Sequence, residues 1–349
     1  MTDISSLNDL GWHRRAESGH PLPTSPPHRP ARVMRQESGA WLVHDGSHEL
    51  LARALSRRPS VTPVTGDWVL IGDDGGTCYV HAVLPRTSTL SRNEAGRRSD
   101  EQVLAANVDV VGICTPADDV NPRRLERELT AVWSSGAAPL VVVTKADLVE
   151  DPWRVVVDVE AVCLGADVAA VSSLDGEGLE SVTARLGKGT TMALIGPSGV
   201  GKSSLINALA GSPVLATAEI RGDGKGRHTT TSRQLVVLPD GGLLLDTPGM
   251  REFAPWVGEE GLAGTFADID EMAAGCRFSD CRHESEPGCA VVIAASGDEV
   301  VAQRLASWRA LQRELAWLER RHDARLRQQE RRKWTALTKQ IRAEGRIRP

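Results

Sequence analysis

The chain has 349 residues, 41% of them hydrophobic, and its 41 Lys and Arg against 46 Asp and Glu leave a net charge of −5. That length is more than one ordinary domain absorbs, and no run of about 18 apolar residues occurs, which argues against a membrane-spanning protein. The opening MTDISSLNDLGWHRR has no apolar leader, and six cysteines are too few for a disulfide scaffold, so the expectation is a cytoplasmic protein of two or three domains.

In chain order, residues 1–30 are polar and Pro-rich, with Arg14, Arg15 and Arg29, and predict a disordered basic arm. Residues 31–90 hold the short alternating runs RVMRQ, AWLVH, DWVLI and TCYVHAV between Gly-rich turns, the pattern of a small β-barrel. An oligonucleotide-binding (OB-like) barrel and an SH3-like barrel both suit that spacing. Over 100–254 strands and helices alternate. VDVVGIC, PLVVVT, DVAAVS, MALIG, RQLVVL and GLLLD are the strands; Pro122 to Trp133 (capped by Asn121), Trp153 to Leu164, GLESVTARL and KSSLINALA are the helices. Such alternation predicts a mainly parallel sheet covered on both faces, with ligand sites at the carboxyl ends of its strands. Residues 255–349 carry a cysteine cluster and then a helical stretch from about Glu299 to Arg342.

Gly196-Pro197-Ser198-Gly199-Val200-Gly201-Lys202-Ser203, followed by Ser204, fits the phosphate-loop pattern GxxxxGK[ST] between a strand and a helix. Glycines there let successive backbone N–H groups face phosphates, Lys202 reaches the terminal phosphates, and the Ser203 hydroxyl is placed to ligate Mg²⁺. Asp246-Thr247-Pro248-Gly249 ends a second strand, where a carboxylate belongs beside the metal and a mobile glycine beside the γ-phosphate. Between them the Gly-rich RGDGKGRHTTTSRQ is a candidate switch, with Thr230 taken as the Mg²⁺-binding threonine and His228 as a group that orients water.

Thr144-Lys145-Ala146-Asp147 closes the strand PLVVV. A carboxylate at Asp147 accepts two hydrogen bonds from guanine, whereas adenine offers an acceptor at the same place and leaves it unpaired. The Lys145 stem packs along base and ribose, and backbone N–H groups of Ser172 and Ser173 are expected to reach the base carbonyl. Here the base-reading motif precedes the phosphate loop, the reverse of the usual order, which indicates a circular permutation. The strand bearing DTPG then leads straight into the C-terminal region, so movement at Gly249 is expected to pull on whatever that region binds.

Cys276-x4-Cys281-x-His283-x5-Cys289 supplies three thiolates and one imidazole, a full tetrahedral set for one structural Zn²⁺. Cys78, Cys114 and Cys163 lie in apolar segments and read as core fillers. Residues 301–349 hold 14 Lys and Arg against 5 acids. Arg304, Arg313, Arg320, Arg327, Arg331, Arg332 and Lys333 are therefore candidate phosphate contacts, although a solvated helix face has the same look. Trp308, Trp317 and Trp334 among them suit the apolar side of a packed helix better than a base-stacking surface.

Taken together, PRTSTLSR at 85–92, TKAD, GPSGVGKSS, GRHTTT, DTPGMREF and the Cys/Cys/His/Cys spacing resemble the ribosome small subunit-dependent GTPase family (RsgA/YjeQ) over roughly residues 31–320. The resemblance implies a multidomain α/β protein: an N-terminal OB-like barrel, a circularly permuted P-loop GTPase domain and a C-terminal zinc-binding helical domain. It further implies a cytoplasmic monomer that binds GTP and GDP and hydrolyses GTP faster on the small ribosomal subunit. The family acts late in assembly of that subunit, gripping its rRNA, with other assembly factors as possible partners. Met250 stands where Ras-like proteins place a water-orienting glutamine, which leaves His228 as the substitute. Thr144 replaces the commoner Asn and is expected to cost the phosphate loop a bracing amide. The alternatives are an RNA-binding module with a regulatory or inactive nucleotide site, and a GTPase for large-subunit assembly.

Overall fold

The computed structural model describes residues 4–17, 19, 28–55, 61–93, 101–213, 233–246 and 259–317. The chain divides into two compact units, one holding Met1–Arg92 and Glu101–Ala267, the other Asn93–Asp100 and Asp268–Pro349.

The first unit is built on one continuous sheet. Its N-terminal part comprises β1 (Arg29–Glu37), β2 (Ala40–His44), β3 (Glu49–Ala54), β4 (Trp68–Asp74) and β5 (Thr77–Val83). They pair in the order β1-β2-β3-β5-β4, and β4 returns to pair with β1, so the five strands close. β3 runs parallel to β5 while the other pairs are antiparallel, the arrangement of an OB barrel, which decides between the two barrel types left open by the sequence. Its interior is filled by Ala31, Val33, Trp41, Val43, Ala52, Val69, Ile71, Cys78 and Val80.

The nucleotide-binding part comprises β8 (Val110–Pro116), α3 (Pro122–Ser135), β9 (Ala138–Thr144), α4 (Pro152–Glu160), β10 (Asp167–Ala170), α5 (Leu179–Thr183), β11 (Thr191–Ile195), α6 (Lys202–Ala210), β12 (Gln234–Val237) and β13 (Leu243–Asp246). The strands lie in the order β10-β9-β8-β11-β13-β12, parallel except for β12. β12 then pairs with β1 at Arg35↔Gln234, so the barrel and the parallel sheet share one hydrogen-bonded ladder. Asn121 caps α3 by accepting from Arg124 N–H at 3.1 Å, with Pro122 at the first helical position. Two further strands, β6 (Thr89–Asn93) and β7 (Glu101–Ala106), pair with each other. Between the barrel and β6, Arg86 grips the buried Asp67 through both carboxylate oxygens at 2.8 Å, and Ser88 and Val108 exchange two hydrogen bonds.

Two expectations fail in this unit. Residues 4–17 are not a disordered arm: they form α1 (Ile4–Asn8) and α2 (Trp12–Glu17). Leu7, Leu10 and Trp12 are all at most 3% exposed, and burying each leucine contributes about 1.5–3 kcal/mol, enough to hold a segment that has no core of its own. The zinc-binding region also does not begin at 255. α7 (Glu259–Thr265) belongs to the first unit, where it packs on α3 and Thr265 hydrogen-bonds Thr130, hydroxyl to hydroxyl, at 3.0 Å.

The second unit contains α8 (Ala267–Ala273), the cysteine loop, α9 (Ala290–Gly297) and a helix, α10, over 299–317. Arg304 on α10 is not a phosphate contact. It is 3% exposed and holds Asp268 bidentately at 2.6 and 2.7 Å, because a buried guanidinium needs a carboxylate partner. Trp308 packs against the His283 ring at 5.4 Å, Arg313 is exposed, and Trp334, Arg320, Arg327, Arg331, Arg332 and Lys333 lie outside the described residues. Among the described residues no helix is long and apolar enough to cross a membrane.

Candidate nucleotide pocket and cysteine centre

β11 is buried along its whole length and delivers the phosphate loop at its carboxyl end, in mid-sheet between β8 and β13. Gly196 leaves the strand at φ 132°, where a Cβ would stand 2.5 Å from the Cys114 carbonyl oxygen. Only glycine allows the loop to lie this low on β8. Gly201, at φ 106°, turns the chain into α6, which opens with Lys202. The Lys202 ammonium donates to the Gly196 and Pro197 carbonyls at 2.8 Å each, so it spans the mouth of the loop. Ser198, Gly199 and Ser204 are exposed, Gly201, Lys202 and Ser203 half-buried, and Val200 buried beneath them.

The segment expected to read the base, Thr144–Asp147, sits at the end of β9. Thr144 is 1% exposed, and its hydroxyl lies 2.6 Å from the Val200 carbonyl oxygen and 3.2 Å from that of Thr115. The hydroxyl donates to the phosphate loop at the shorter distance. The brace expected to be lost with the asparagine is thus supplied by the threonine, because its hydroxyl reaches the same loop from the end of β9, one strand beyond β8. Lys145 takes a left-handed backbone (φ 56°) that turns the chain into the 3₁₀ turn Ala146–Leu148, leaving Asp147 exposed at the rim. Ser172 and Ser173 follow β10, and Ala146 N–H donates to the Val171 carbonyl beside them. Ser172 N–H is committed to the Glu177 carbonyl at 2.9 Å, so of the two serines expected to face the base Ser172 is already engaged; the loop returns on itself in a way that a dipeptide does not reveal. β13 lies next to β11 and brings Asp246 to the same sheet end, opposite the loop's own strand. His228, Thr230 and Gly249 lie outside the described residues.

The sequence reading missed a buried polar set beneath the loop. Arg124 donates to the Thr115 hydroxyl at 2.9 Å and pairs with Glu128 at 3.7 Å. Glu128 is 8% exposed, and burial pushes its carboxyl up to about 7 against the pull of Arg124, Lys202 and Arg127. Burial likewise pushes the Cys114 thiol up to about 12, which keeps it neutral. The available signal was an acid inside the apolar stripe Leu125, Leu129 and Val132 of α3, where a hydrophobic residue is the norm.

In the second unit the donor atoms of Cys276, Cys281, His283 and Cys289 all lie within 4.8 Å of one another. Cys276 and Cys289 sulfurs are 3.8 Å apart, too far for a disulfide, and His283 Nδ1 stands 3.6 and 3.4 Å from them. A tetrahedral zinc with ordinary bond lengths requires about 3.8 Å between sulfurs and about 3.6 Å from sulfur to nitrogen. The donor set therefore fits zinc in number, kind and spacing. Cys289 also caps α9 by accepting from Val292 N–H, and the Arg309 guanidinium donates to the His283 carbonyl, which fixes the middle of the loop and its last residue.

A model of the RsgA GTPase family matches residues 83–256. The chain is 40% identical over 322 residues to small ribosomal subunit biogenesis GTPase RsgA 1 of Oceanobacillus iheyensis, covering 89% of this chain and 92% of that one. The chain belongs to the RsgA GTPase family. A second RsgA, from Streptomyces avermitilis, is 47% identical over 277 residues, 77% of this chain and 74% of its own. Among solved structures, YjeQ from Thermotoga maritima matches with a TM-score of 0.64 at 26% identity, over 83% of this chain and 99% of that chain. YloQ, described as a circularly permuted GTPase, matches at 0.61 and 26% over 85% and 98%. The inverted motif order seen here, β9 before β11, is the RsgA-type permutation.

Proposed function

We propose that this GTPase acts late in assembly of the small ribosomal subunit, binding its rRNA through the barrel and the cysteine module and leaving when GTP is hydrolysed. The observation that carries the reading is the hydrogen bond from Thr144 to the Val200 carbonyl, which ties the guanine-reading segment to the phosphate loop across the permuted order, in a chain whose relatives bear the name small ribosomal subunit biogenesis GTPase. On this reading the loop N–H groups from Ser198 to Ser204 take the phosphates, and Lys202 exchanges its two loop carbonyls for phosphate oxygens. Asp147, Lys145 and Ser173 select guanine. Mg²⁺, when bound, neutralises charge building on the phosphates, and Ser203, Thr230 and Asp246 are the residues to hold it. His228 and Gly249 are kept as the water-orienting group and the γ-phosphate sensor. One zinc held by Cys276, Cys281, His283 and Cys289 cross-links the module without an open position for catalysis. The protein is taken to work as a cytoplasmic monomer alongside other assembly factors.

The test is GTP turnover with and without purified small subunits at controlled salt. Stimulation in wild type that disappears in Lys202→Ala supports the reading. Wild type and Lys202→Ala equally inert on small subunits would leave an RNA-binding module, and stimulation by large subunits instead would move the protein to the other particle.

A further inference from the structure

A cavity of about 230 Å³ opens in the first unit, lined by Arg14, Arg15, Arg32, Thr87, Asn107 and Asp109 among others. It gathers side chains from α2, β1, the segment before β6 and the start of β8. Asp109 precedes β8 by one residue and the phosphate loop lies beyond the other end of that sheet, so the two places are about 20 Å apart along the strand.

Two of its arginines are buried with no carboxylate in direct contact, each guanidinium lying over a tryptophan ring, Arg15 over Trp12 at 5.7 Å and Arg32 over Trp68 at 5.3 Å. Arg32 is 1% exposed and Arg15 is 4% exposed, and among the described residues neither has a carboxylate within ion-pair distance. Arg32 donates to the Gly66 carbonyl at 3.3 Å, to the Asn107 carbonyl at 2.8 Å and to the Leu10 carbonyl, three of the five N–H groups a guanidinium carries. Arg15 donates to the Pro85 carbonyl, while its buried Nε has no partner. The nearby Asp67 is already taken by Arg86 through both oxygens. Asp109 faces the cavity but holds Thr191 N–H at 2.7 Å and lies 4.0 Å from Arg14. Asp109, which already lies beside Arg14, cannot also neutralise both buried guanidiniums, so Arg15 and Arg32 leave positive charge in excess. Burial lowers the pKa of both arginines, that of Arg32 to about 10, against the weaker pull of Asp67 on both and of Asp109 on Arg32.

Buried charges are normally paired, because leaving one unpaired is expensive. The neutral carbonyls bonded here orient the guanidiniums without cancelling them. We propose that this cavity is a second anion site, separate from the phosphate loop, that takes a small tetrahedral dianion of the phosphate or phosphomonoester class. The charge excess matches a dianion, and guanidinium forks suit phosphoryl oxygens. The near-complete burial of Arg15 and Arg32 admits a small group and excludes a phosphodiester threaded through a polymer. Gly11 fits the same picture: a Cβ there would stand 2.8 Å from Arg32 Nη1 and 2.5 Å from the Gly189 carbonyl. Filling the site would knit α2, the barrel and the base of β8 together.

The experiment uses the full chain, zinc-loaded and saturated with GDP and Mg²⁺ so that the phosphate loop is occupied, titrated calorimetrically with inorganic phosphate against chloride at equal ionic strength. One phosphate per chain is expected, with dimethyl phosphate, a monoanionic diester, binding at least about tenfold more weakly. Arg15→Gln should weaken phosphate by about tenfold or more, and Asp109→Asn should tighten it severalfold, both with GDP affinity unchanged. The opposite sign of the second variant keeps the test decisive if the first does not fold. Absence of saturable phosphate binding, equal binding of dimethyl phosphate, or an Asp109→Asn titration identical to wild type would each overturn the proposal.

Discussion

Replacing Thr144 by valine keeps the shape of a side chain that is 1% exposed and removes one hydroxyl. The Val200 carbonyl then loses its donor at 2.6 Å in a place closed to water, since Val200 itself is 2% exposed. An unsatisfied buried acceptor costs about 1–3 kcal/mol. That cost divides between two measurable quantities. Whatever part the loop escapes by shifting in the nucleotide-free protein returns as weaker binding, because phosphates demand the braced shape; whatever it cannot escape lowers folding stability. Fluorescent GDP titration and urea unfolding of the same Thr144→Val sample should therefore show losses that together come to about 1–3 kcal/mol, equivalent to about 5- to 150-fold if all of it falls on affinity. Thr144→Ser keeps the hydroxyl and should stay near wild type. A valine variant that binds GDP within twofold of wild type and unfolds at the same urea concentration would refute the bracing role.

Three further outcomes follow from the same structure. Glu128 has its carboxyl raised by burial, so from pH 4.5 to about 7 the unfolded chain ionises it while the folded chain does not, and stability falls as pH rises through that window; Glu128→Gln should match wild type near pH 4.5 and exceed it by up to about 3 kcal/mol at pH 8 in urea unfolding. Arg304→Ala leaves Asp268 partly buried without its bidentate partner and should cost about 3 kcal/mol of stability by thermal unfolding, whereas Arg313→Ala, exposed on the same helix, should cost under about 0.5. Cys281→Ser should reduce bound zinc from one per chain to none by elemental analysis, and chelation of wild type should abolish stimulation by small subunits while leaving GDP binding intact, since the pocket belongs to the other unit.

What the sequence made legible and what it hid differ for physical reasons. α6 runs over the nine residues KSSLINALA as expected because Gly201 and Gly211, both left-handed, bracket it. α3 was equally plain, with Asn121 and Pro122 at its start. β3 is not legible in ELLARA, since its burial alternates as in any strand but its residue types do not: Leu51 falls on the outer face, 53% exposed, between Leu50 and the buried Ala52. The N-terminal helices escaped notice because Gly11 interrupts the spacing of Leu7, Leu10 and Trp12 and their partners lie elsewhere in the unit. Arg304 and Ser172 show the general limit: residue type suggested a phosphate contact and a base donor, but both groups were already engaged, by Asp268 36 positions away and by Glu177 across a turn. Local pattern specifies which groups can act, and only tertiary pairing decides which remain available.

The same limit bears on how a nucleotide signal leaves the pocket. Chain order alone suggests that β13 runs directly into the C-terminal region, but α7 intervenes and is anchored on α3. At Gly261 a Cβ would fall 2.1 Å from the Thr130 carbonyl oxygen and 2.0 Å from the Ser134 hydroxyl, so the two backbones are in direct contact, and Thr265, fully buried, bonds Thr130. At its other end α3 carries Arg124 and Glu128, which reach Thr115 and the surroundings of Lys202. One helix thus touches both the polar set under the phosphate loop and the last element before residue 267. Close-packed interiors transmit displacement. A packed route from the pocket to the end of the first unit therefore runs through α3 and α7.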